Sequence, residues 1–370
     1  MILRETPLPV AGRGGTIFDQ THDSLTALFA QWSEPRYRVA QLLQWVYAGG
    51  ATSYDEMSNL PKALRERLGA ECPLYESQIA QHQESSDGTV KLLLRWVDGA
   101  TSECVLIPDG DRRTACISTQ VGCPVGCVFC ASGLGGLQRQ LSAGQIVEQA
   151  MRVRHLCEPS ARLSNVVFMG LGEPLANYAA TVQAVRTINA EWGMGIGARK
   201  ITVSTVGLPG PMRRLADEQL QITLALSLHA PTDDLRKQII PWAEGITIDA
   251  LVAAAQYYFD RTGREITLEY ILLGGLNDAA VHAAELAAVA RRMRSNVNLI
   301  AYNAVAGLPY ERPSGAAVAE FLLVLRDRGV NTHVRRSRGL DIDAACGQLR
   351  RREASSGSEA LSSGGPAHIV

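Results

Sequence analysis

The chain has 370 residues and a mass of 39.9 kDa, with 36 Lys and Arg against 37 Asp and Glu, 46% hydrophobic residues and a formal charge of −1. This composition describes a globular protein and excludes a collagen, a coiled coil and a charged disordered chain. A nucleic-acid partner would have to be drawn by local basic patches, because the whole-molecule field supplies no attraction. No stretch approaches the roughly 18 apolar residues of a membrane helix, so no membrane partner is expected. The start, MILRETPLPVAGRGG, lacks a basic segment followed by an apolar run, and the expected location is cytoplasmic. Eight cysteines, Cys72, Cys104, Cys116, Cys123, Cys127, Cys130, Cys157 and Cys346, are too few for a disulfide scaffold, and their crowding at 123–130 reads as metal binding or catalysis.

In chain order, the first firm helical pattern is EPRYRVAQLLQWVYAGG, with Val39, Leu42, Leu43 and Val46 at helical spacing before a Gly-Gly stop. A second short helix is predicted from Leu60-Pro61. A strand-like pair follows, TVKLLLRWVDG and TSECVLIPDG, around an Asp-Gly-Ala-Thr turn. From Thr114 six β-rich runs alternate with helical stretches: TACISTQ, NVVFMG, KITVSTVG, QITLALSLHA, EITLEYILLGG and VNLIAYN. Such alternation predicts parallel strands with crossover helices. Two of those helices are SAGQIVEQAMRVRHL, opened by Ser142, and DAAVHAAELAAVARRMR, opened by Asp278. Six units fall short of eight, so the expected α/β fold is an incomplete, open (β/α)6 barrel, with a doubly wound sheet as the alternative. A further strand, NTHVRRS, precedes a Ser/Gly/Ala-rich end. The expected domains are a small mixed α/β accessory module at 1–100, a core at 101–350 and a disordered tail at 351–370.

Cys123-Pro-Val-Gly-Cys127-Val-Phe-Cys130 gives C-x-x-x-C-x-x-C just after the first strand of the series. Gly122 and Gly126 permit the turns that let three thiolates converge. A four-iron cluster takes four ligands, so three leave one iron open to a substrate or cofactor. Structural zinc would want a fourth ligand, and the next histidine is His155 on a predicted helix. Gly133-Leu-Gly-Gly136 follows a cysteine loop rather than a strand and does not fit a dinucleotide fingerprint.

The three-cysteine pattern resembles the radical S-adenosylmethionine superfamily. CISTQVGCPVGCVFCASGLGGLQRQL, FMGLGEPLANY, SLHAPTDDLRKQIIP and RRSRGLDIDAACGQLR, together with YRVAQLLQWVY and NLPKALRERL, resemble the RlmN/Cfr group, which methylates an adenosine of 23S ribosomal RNA. The resemblance is greatest to the RlmN branch and runs from about residue 35 to 350. It implies a [4Fe-4S] cluster held by Cys123, Cys127 and Cys130, and S-adenosylmethionine chelating the open iron. C2 of adenine has no nucleophilic lone pair, so displacement on a sulfonium methyl fails and a radical route is required. By resemblance, Cys346 carries a methyl group from one S-adenosylmethionine. A 5′-deoxyadenosyl radical made from another activates that methyl, and its carbon joins the adenine. Cys116 resolves the bridge through a transient Cys116–Cys346 disulfide, and Glu103 takes the ring proton.

Carry-over also assigns Gly172, Glu173, Ser204, Ser227, Leu228, His229 and Asn303 to cofactor binding. All lie at or just past predicted strand C-termini, where βα-barrel sites assemble. Partners implied are 23S rRNA, a tRNA adenosine, and an electron donor such as flavodoxin or ferredoxin. An adenine must leave its stack to meet a buried radical. Basic residues cluster at Arg335, Arg336 and Arg338, at Arg350 to Arg352, and at Arg291, Arg292 and Arg294, the first group in the expected substrate mouth. Alternatives are a Cfr-like C8 methyltransferase and a non-catalytic metal-containing RNA-binding protein.

Overall fold

In the computed structural model, residues 15–158 and 161–349 are described. The Arg350 to Arg352 group, the tail and most of the N-terminal segment lie outside them. Three helices open the chain, α1 (His22–Gln31), α2 (Tyr37–Leu43) and α3 (Lys62–Glu71). The expected Val39, Leu42, Leu43 and Val46 are all buried, and α2 continues into a π turn that stops at Gly50, φ 68°.

Four antiparallel-paired strands follow, β1 (Gln78–Glu84), β2 (Val90–Arg95), β3 (Thr101–Asp109) and β4 (Arg112–Cys116). A small hairpin of β5 (Gln120–Gly122) and β6 (Leu137–Gln140) brackets the cysteine loop. The remaining elements alternate: α4 (Ala143–Arg154), β7 (Asn165–Phe168), α5 (Tyr178–Asn189), β8 (Ile201–Thr205), α6 (Pro209–Asp217) and β9 (Thr223–Ser227). After α7 (Asp233–Ile239) and α8 (Ile248–Thr262) come β10 (Ile266–Leu272), α9 (Ala280–Ala290), β11 (Ser295–Ala301), α10 (Gly315–Asp327) and β12 (Thr332–Arg335).

These strands form one sheet in the order β1-β2-β3-β4-β7-β8-β9-β10-β11-β12, parallel from β4 onward. A doubly wound sheet reverses its order at a switch point, and this one does not. The order runs consecutively and β1 and β12 remain edges, so the open barrel is the architecture. Each expected βα strand is present, with β12 as the seventh parallel strand. TACISTQ divides: Ile117 N still donates to Val167 O of β7 at 3.0 Å, Thr119 N donates to Leu171 O at 2.9 Å beyond the end of β7, and Gln120 then pairs with Gln140 on β6.

Two expectations need correction. Ser142 caps α4 by accepting from Gln145 N at 3.1 Å, as expected, but α9 begins after Ala279. Asp278 accepts instead from Gly275 N at 3.0 Å and closes the preceding loop. The boundary at residue 100 falls between β2 and β3, two hydrogen-bonded strands of one sheet, so the strand pair extends the barrel sheet rather than belonging to a separate module. The helices before it share the main hydrophobic core with α4, α5 and the barrel strands. Glu148 of α4, fully buried, accepts from Glu76 N at 3.1 Å and Ser77 N at 3.0 Å and fixes that junction. Among the described residues no helix is long and apolar enough to cross a membrane.

Candidate active site

A cavity opens at the C-terminal ends of the parallel strands. Its walls bring together Cys123, Cys127, Cys130, Gly172, Glu173, Ser204, Ser227, His229 and Cys346, nine of the sequence-predicted positions. The cysteine loop bends where Gly122 (φ 79°) and Gly126 (φ 69°) allow it, and a Cβ on Gly122 would meet the Gly136 carbonyl. Burial raises the pKa of all three thiols, to about 12 for Cys123. A cationic metal centre would displace those protons. Among the described residues no three His, Cys, Asp or Glu side chains share a single-ion site. A cube asks less, since each thiolate takes a different iron, and the donor set is all sulfur, so Cys123, Cys127 and Cys130 fit an iron-sulfur cluster. His155 is spoken for elsewhere, its Nε2 hydrogen-bonded to Tyr75 Oη at 2.9 Å.

The loop after β7 needs its glycines. Gly172 has φ 105°, and a Cβ there would sit 2.7 Å from Gln120 Cβ. Glu173, buried, clamps two loops: Oε1 accepts from Leu175 N at 2.9 Å and Oε2 from Val206 N at 2.8 Å. Burial pushes its pKa up to about 7. Ser204 Oγ and Ser227 Oγ stand 3.3 Å apart across β8 and β9. His229 occupies the left-handed region at φ 59°, and its Nδ1 accepts from Ile271 N at 3.1 Å. That bond leaves Nε2 as the protonated ring nitrogen, and burial depresses the pKa to about 3, so the imidazole is neutral.

Leu228 and Asn303 do not line the cavity. Leu228 is buried and serves through its backbone, donating N–H to Glu269 O at 3.1 Å. Asn303 holds the last described segment, its Nδ2 donating to Cys346 O at 3.3 Å and its Oδ1 accepting from Ser337 Oγ at 2.6 Å.

That segment, residues 337–349, is a strap drawn across the open side of the barrel. Asp341 accepts from Ser85 Oγ at 2.5 Å and Ser86 N at 3.1 Å, and Asp87 Oδ2 accepts from Gly339 N at 3.1 Å. Lys91 Nζ donates to Asp343 O at 3.1 Å. At the far end Ala131 N donates to Gly347 O at 2.8 Å, and Ser132 Oγ to Leu349 O at 2.7 Å. The strap therefore fixes Cys346 over the cavity beside the cysteine loop.

Cys116 lies beneath it, buried with Val105, Leu171, Ala344 and Leu349. Burial, and then Cys346, push its pKa up to about 12. All eight cysteines are thiols. Glu103 is 1% exposed and pairs with Lys91 Nζ at 3.4 Å. Strand pairing puts Lys91 opposite Val105, Leu93 opposite Glu103 and Val105 opposite Cys116, so Lys91, Glu103 and Cys116 share one face under the strap. Glu103 does not line the cavity.

The expected basic mouth is corrected in part. Arg335 is a half-buried cavity residue whose pKa is raised, by Cys346 foremost and by Glu269 and Cys116, against the opposing effect of burial. Arg338 pairs with Asp109 at 3.2 Å, and Arg336 is exposed. Arg291, Arg292 and Arg294 precede β11, at the end of the barrel away from the cavity. Sequence reasoning missed Glu269, 4% exposed in the cavity wall with Oε2 unpaired and Oε1 accepting from Asn298 Nδ2 at 3.1 Å. A carboxylate inside the apolar run ITLEYIL was the available signal. Lys91 in VKLLLR carried the same one.

An open parallel barrel with three thiols at its mouth defines a radical S-adenosylmethionine enzyme, and the superfamily model described as "Radical SAM superfamily" matches residues 117–287. Enzymes of this class use a [4Fe-4S] cluster and S-adenosylmethionine. A second model, "Ribosomal RNA large subunit methyltransferase N-terminal domain", matches residues 16–74. A "Probable dual-specificity RNA methyltransferase RlmN" of Rhodopirellula baltica is 45% identical over 329 residues, covering 89% of each chain. One from Thermosynechococcus vestitus is 48% identical, covering 86% of this chain and 94% of its own. The crystal structure of a radical SAM methyltransferase from Sphaerobacter thermophilus superposes with a TM-score of 0.88 at 45% identity, over 90% of this chain and 98% of that one. The chain belongs to the RlmN family of radical S-adenosylmethionine RNA methyltransferases. It is a methyltransferase, which removes the reading as a non-catalytic RNA-binding protein.

Proposed function

We propose that this enzyme methylates C2 of an adenosine in 23S ribosomal RNA, and of a tRNA adenosine, through a methyl group carried on Cys346. The observation that carries the reading is the strap, which sets Cys346 in the wall of the cavity lined by Cys123, Cys127 and Cys130, with Cys116 buried beneath. The relatives' description as dual-specificity RNA methyltransferases supports the two classes of RNA.

Cys123, Cys127 and Cys130 would hold the cluster, and Gly172, Glu173, Ser204, Ser227, Leu228, His229 and Asn303 would build the surrounding cofactor site. When bound, the cluster and S-adenosylmethionine supply a carbon-centred radical that removes hydrogen from an S-methyl group. The chain's own residues do the rest. Cys346, in the cavity wall with Arg335, loses its proton and takes a methyl group from a sulfonium donor, which leaves as the neutral thioether. Once the methyl carbon is joined to adenine, the adduct's unpaired electron would pass to the oxidised iron-sulfur centre as Glu103 accepts the ring proton, with Lys91 holding the carboxylate in place. Cys116, deprotonated, then attacks the Cys346 sulfur; a disulfide forms as the carbon–sulfur bond breaks, the bonding pair stays on the nucleoside carbon, which takes a proton to complete the methyl group, and an external dithiol reduces the disulfide. A flavodoxin or ferredoxin would supply electrons, and the enzyme would act in the cytoplasm. The test is anaerobic reconstitution, reaction with a 23S fragment and chromatography of the digested nucleosides. The reading expects 2-methyladenosine; 8-methyladenosine would assign the Cfr-like regiochemistry instead.

A further inference from the structure

Arg236 is among the largest fully buried side chains, 1% exposed, and does not line the cavity. It sits on α7, whose last turn touches the cysteine loop, since Val128 N donates to Ile239 O at 3.1 Å. Ile239 and Ile240 also pack with Val125 and Phe129 of that loop. The guanidinium Nε donates to Leu228 O at 3.2 Å and Nη2 to Val206 O, while Nη1 is buried with no hydrogen-bond partner. Among the described residues Arg236 forms no ion pair. Asp233, on its own helix, bears on it less than Cys127 and is engaged by Ile248 N at 2.7 Å. A buried cation without a counter-charge is strongly disfavoured. Val206, whose carbonyl Arg236 holds, lines the cavity together with Cys127, and among the charged groups Cys127 bears on Arg236 most.

We propose that Arg236 is a positioning residue that sets the reduction potential of the iron-sulfur cluster, its buried positive charge held behind the cavity wall that carries Cys127. This rests on the reading that Cys123, Cys127 and Cys130 hold that cluster. Three thiolates outweigh the charge of the oxidised cube, so the centre is anionic and becomes more so when it gains one electron. A fixed cation in a low-dielectric site stabilises the reduced centre more than the oxidised one and raises the potential. Glu173 bears on Cys123 and Cys127 and opposes this effect when ionised.

The test compares full-length wild type, Arg236→Met and Arg236→Lys after anaerobic reconstitution, with iron and sulfide counted. Each is titrated with dithionite as electron source while the reduced cluster is followed by electron paramagnetic resonance. At fixed solution potential the reduced-to-oxidised ratio of Arg236→Met should fall at least tenfold, about 59 mV for a one-electron couple, with Arg236→Lys within about threefold of wild type. Loss of the cluster in Arg236→Met alone, restored by Arg236→Lys, supports the same charge requirement. A full cluster titrating with wild type in Arg236→Met overturns the inference, and so does loss in both variants, which would make Arg236 a structural tie. Wild type devoid of iron and sulfide would overturn the cluster assignment itself, and the inference with it.

Discussion

Cys116 and Glu103 share the face under the strap with opposite problems to solve. Cys116 is a buried thiol that in the proposed reaction must lose a proton before it attacks sulfur, and Glu103 is a buried carboxylate held by Lys91. Replacing either should stall the reaction after carbon–carbon bond formation. Cys116→Ala is expected to accumulate protein joined to RNA, visible on denaturing gels; free RNA would contradict the assigned role. Glu103→Gln should slow product release by about 10²–10⁴-fold, the usual range for loss of a general base, with the same adduct detected. His229 makes a different prediction. Its folded pKa is near 3 against 6.5 for the unfolded side chain, so below pH 6.5 the unfolded chain takes up a proton that the folded one refuses. Stability should therefore fall as pH drops from 6.5 towards 3, by about 1.4 kcal/mol per pH unit from this group alone. Urea unfolding at about pH 7 and pH 5 should show a smaller loss in His229→Asn than in wild type; equal losses would sink the argument.

The strap is the element on which the chemistry turns, and few side chains anchor it to the β1–β2 turn. Asp341 is exposed and holds both Ser85 and Ser86. Asp341→Ala should free that end, so trypsin cleaves after Arg338 several-fold faster while the rest of the barrel stays resistant, and methyl transfer slows. Unchanged cleavage would mean the strap is held from the cysteine-loop end alone. Little of this was legible in the sequence. GLDIDAACGQL has no hydrophobic period, and its partners at Ser85, Asp87, Asn303 and Ser132 are distant in the chain. The βα elements were readable because each strand buried on both faces writes a short apolar run, as in TLALS and ITLEYIL. The helix start at Ser142 was readable from its capping pattern, whereas Asp278 mimicked one and serves a loop. Arg236 was invisible: among the charges of DDLRKQI nothing distinguishes a buried arginine from a solvated face.

At the scale of the whole molecule, one sheet joins the parts that the chemistry needs. Strands β2 and β3 bring Lys91 and Glu103 to one flank, β7 to β10 bring the cofactor loops, and β12 brings Arg335 to the other. Consecutive strand order leaves the barrel open between β1 and β12, and the strap spans the inner side of that opening with Cys346 at the cavity. The cysteines proposed to hold the cluster were legible because their spacing in one short loop sets them apart. The joining of Cys346 to that cavity required the fold. The most direct test is to incubate reconstituted enzyme with S-adenosylmethionine bearing a deuterated methyl group, quench before RNA is added and after, and follow the label by peptide and nucleoside mass spectrometry. Label should appear on Cys346 first and on the adenosine afterwards; labelled adenosine from enzyme whose Cys346 never carries the methyl group would contradict the account.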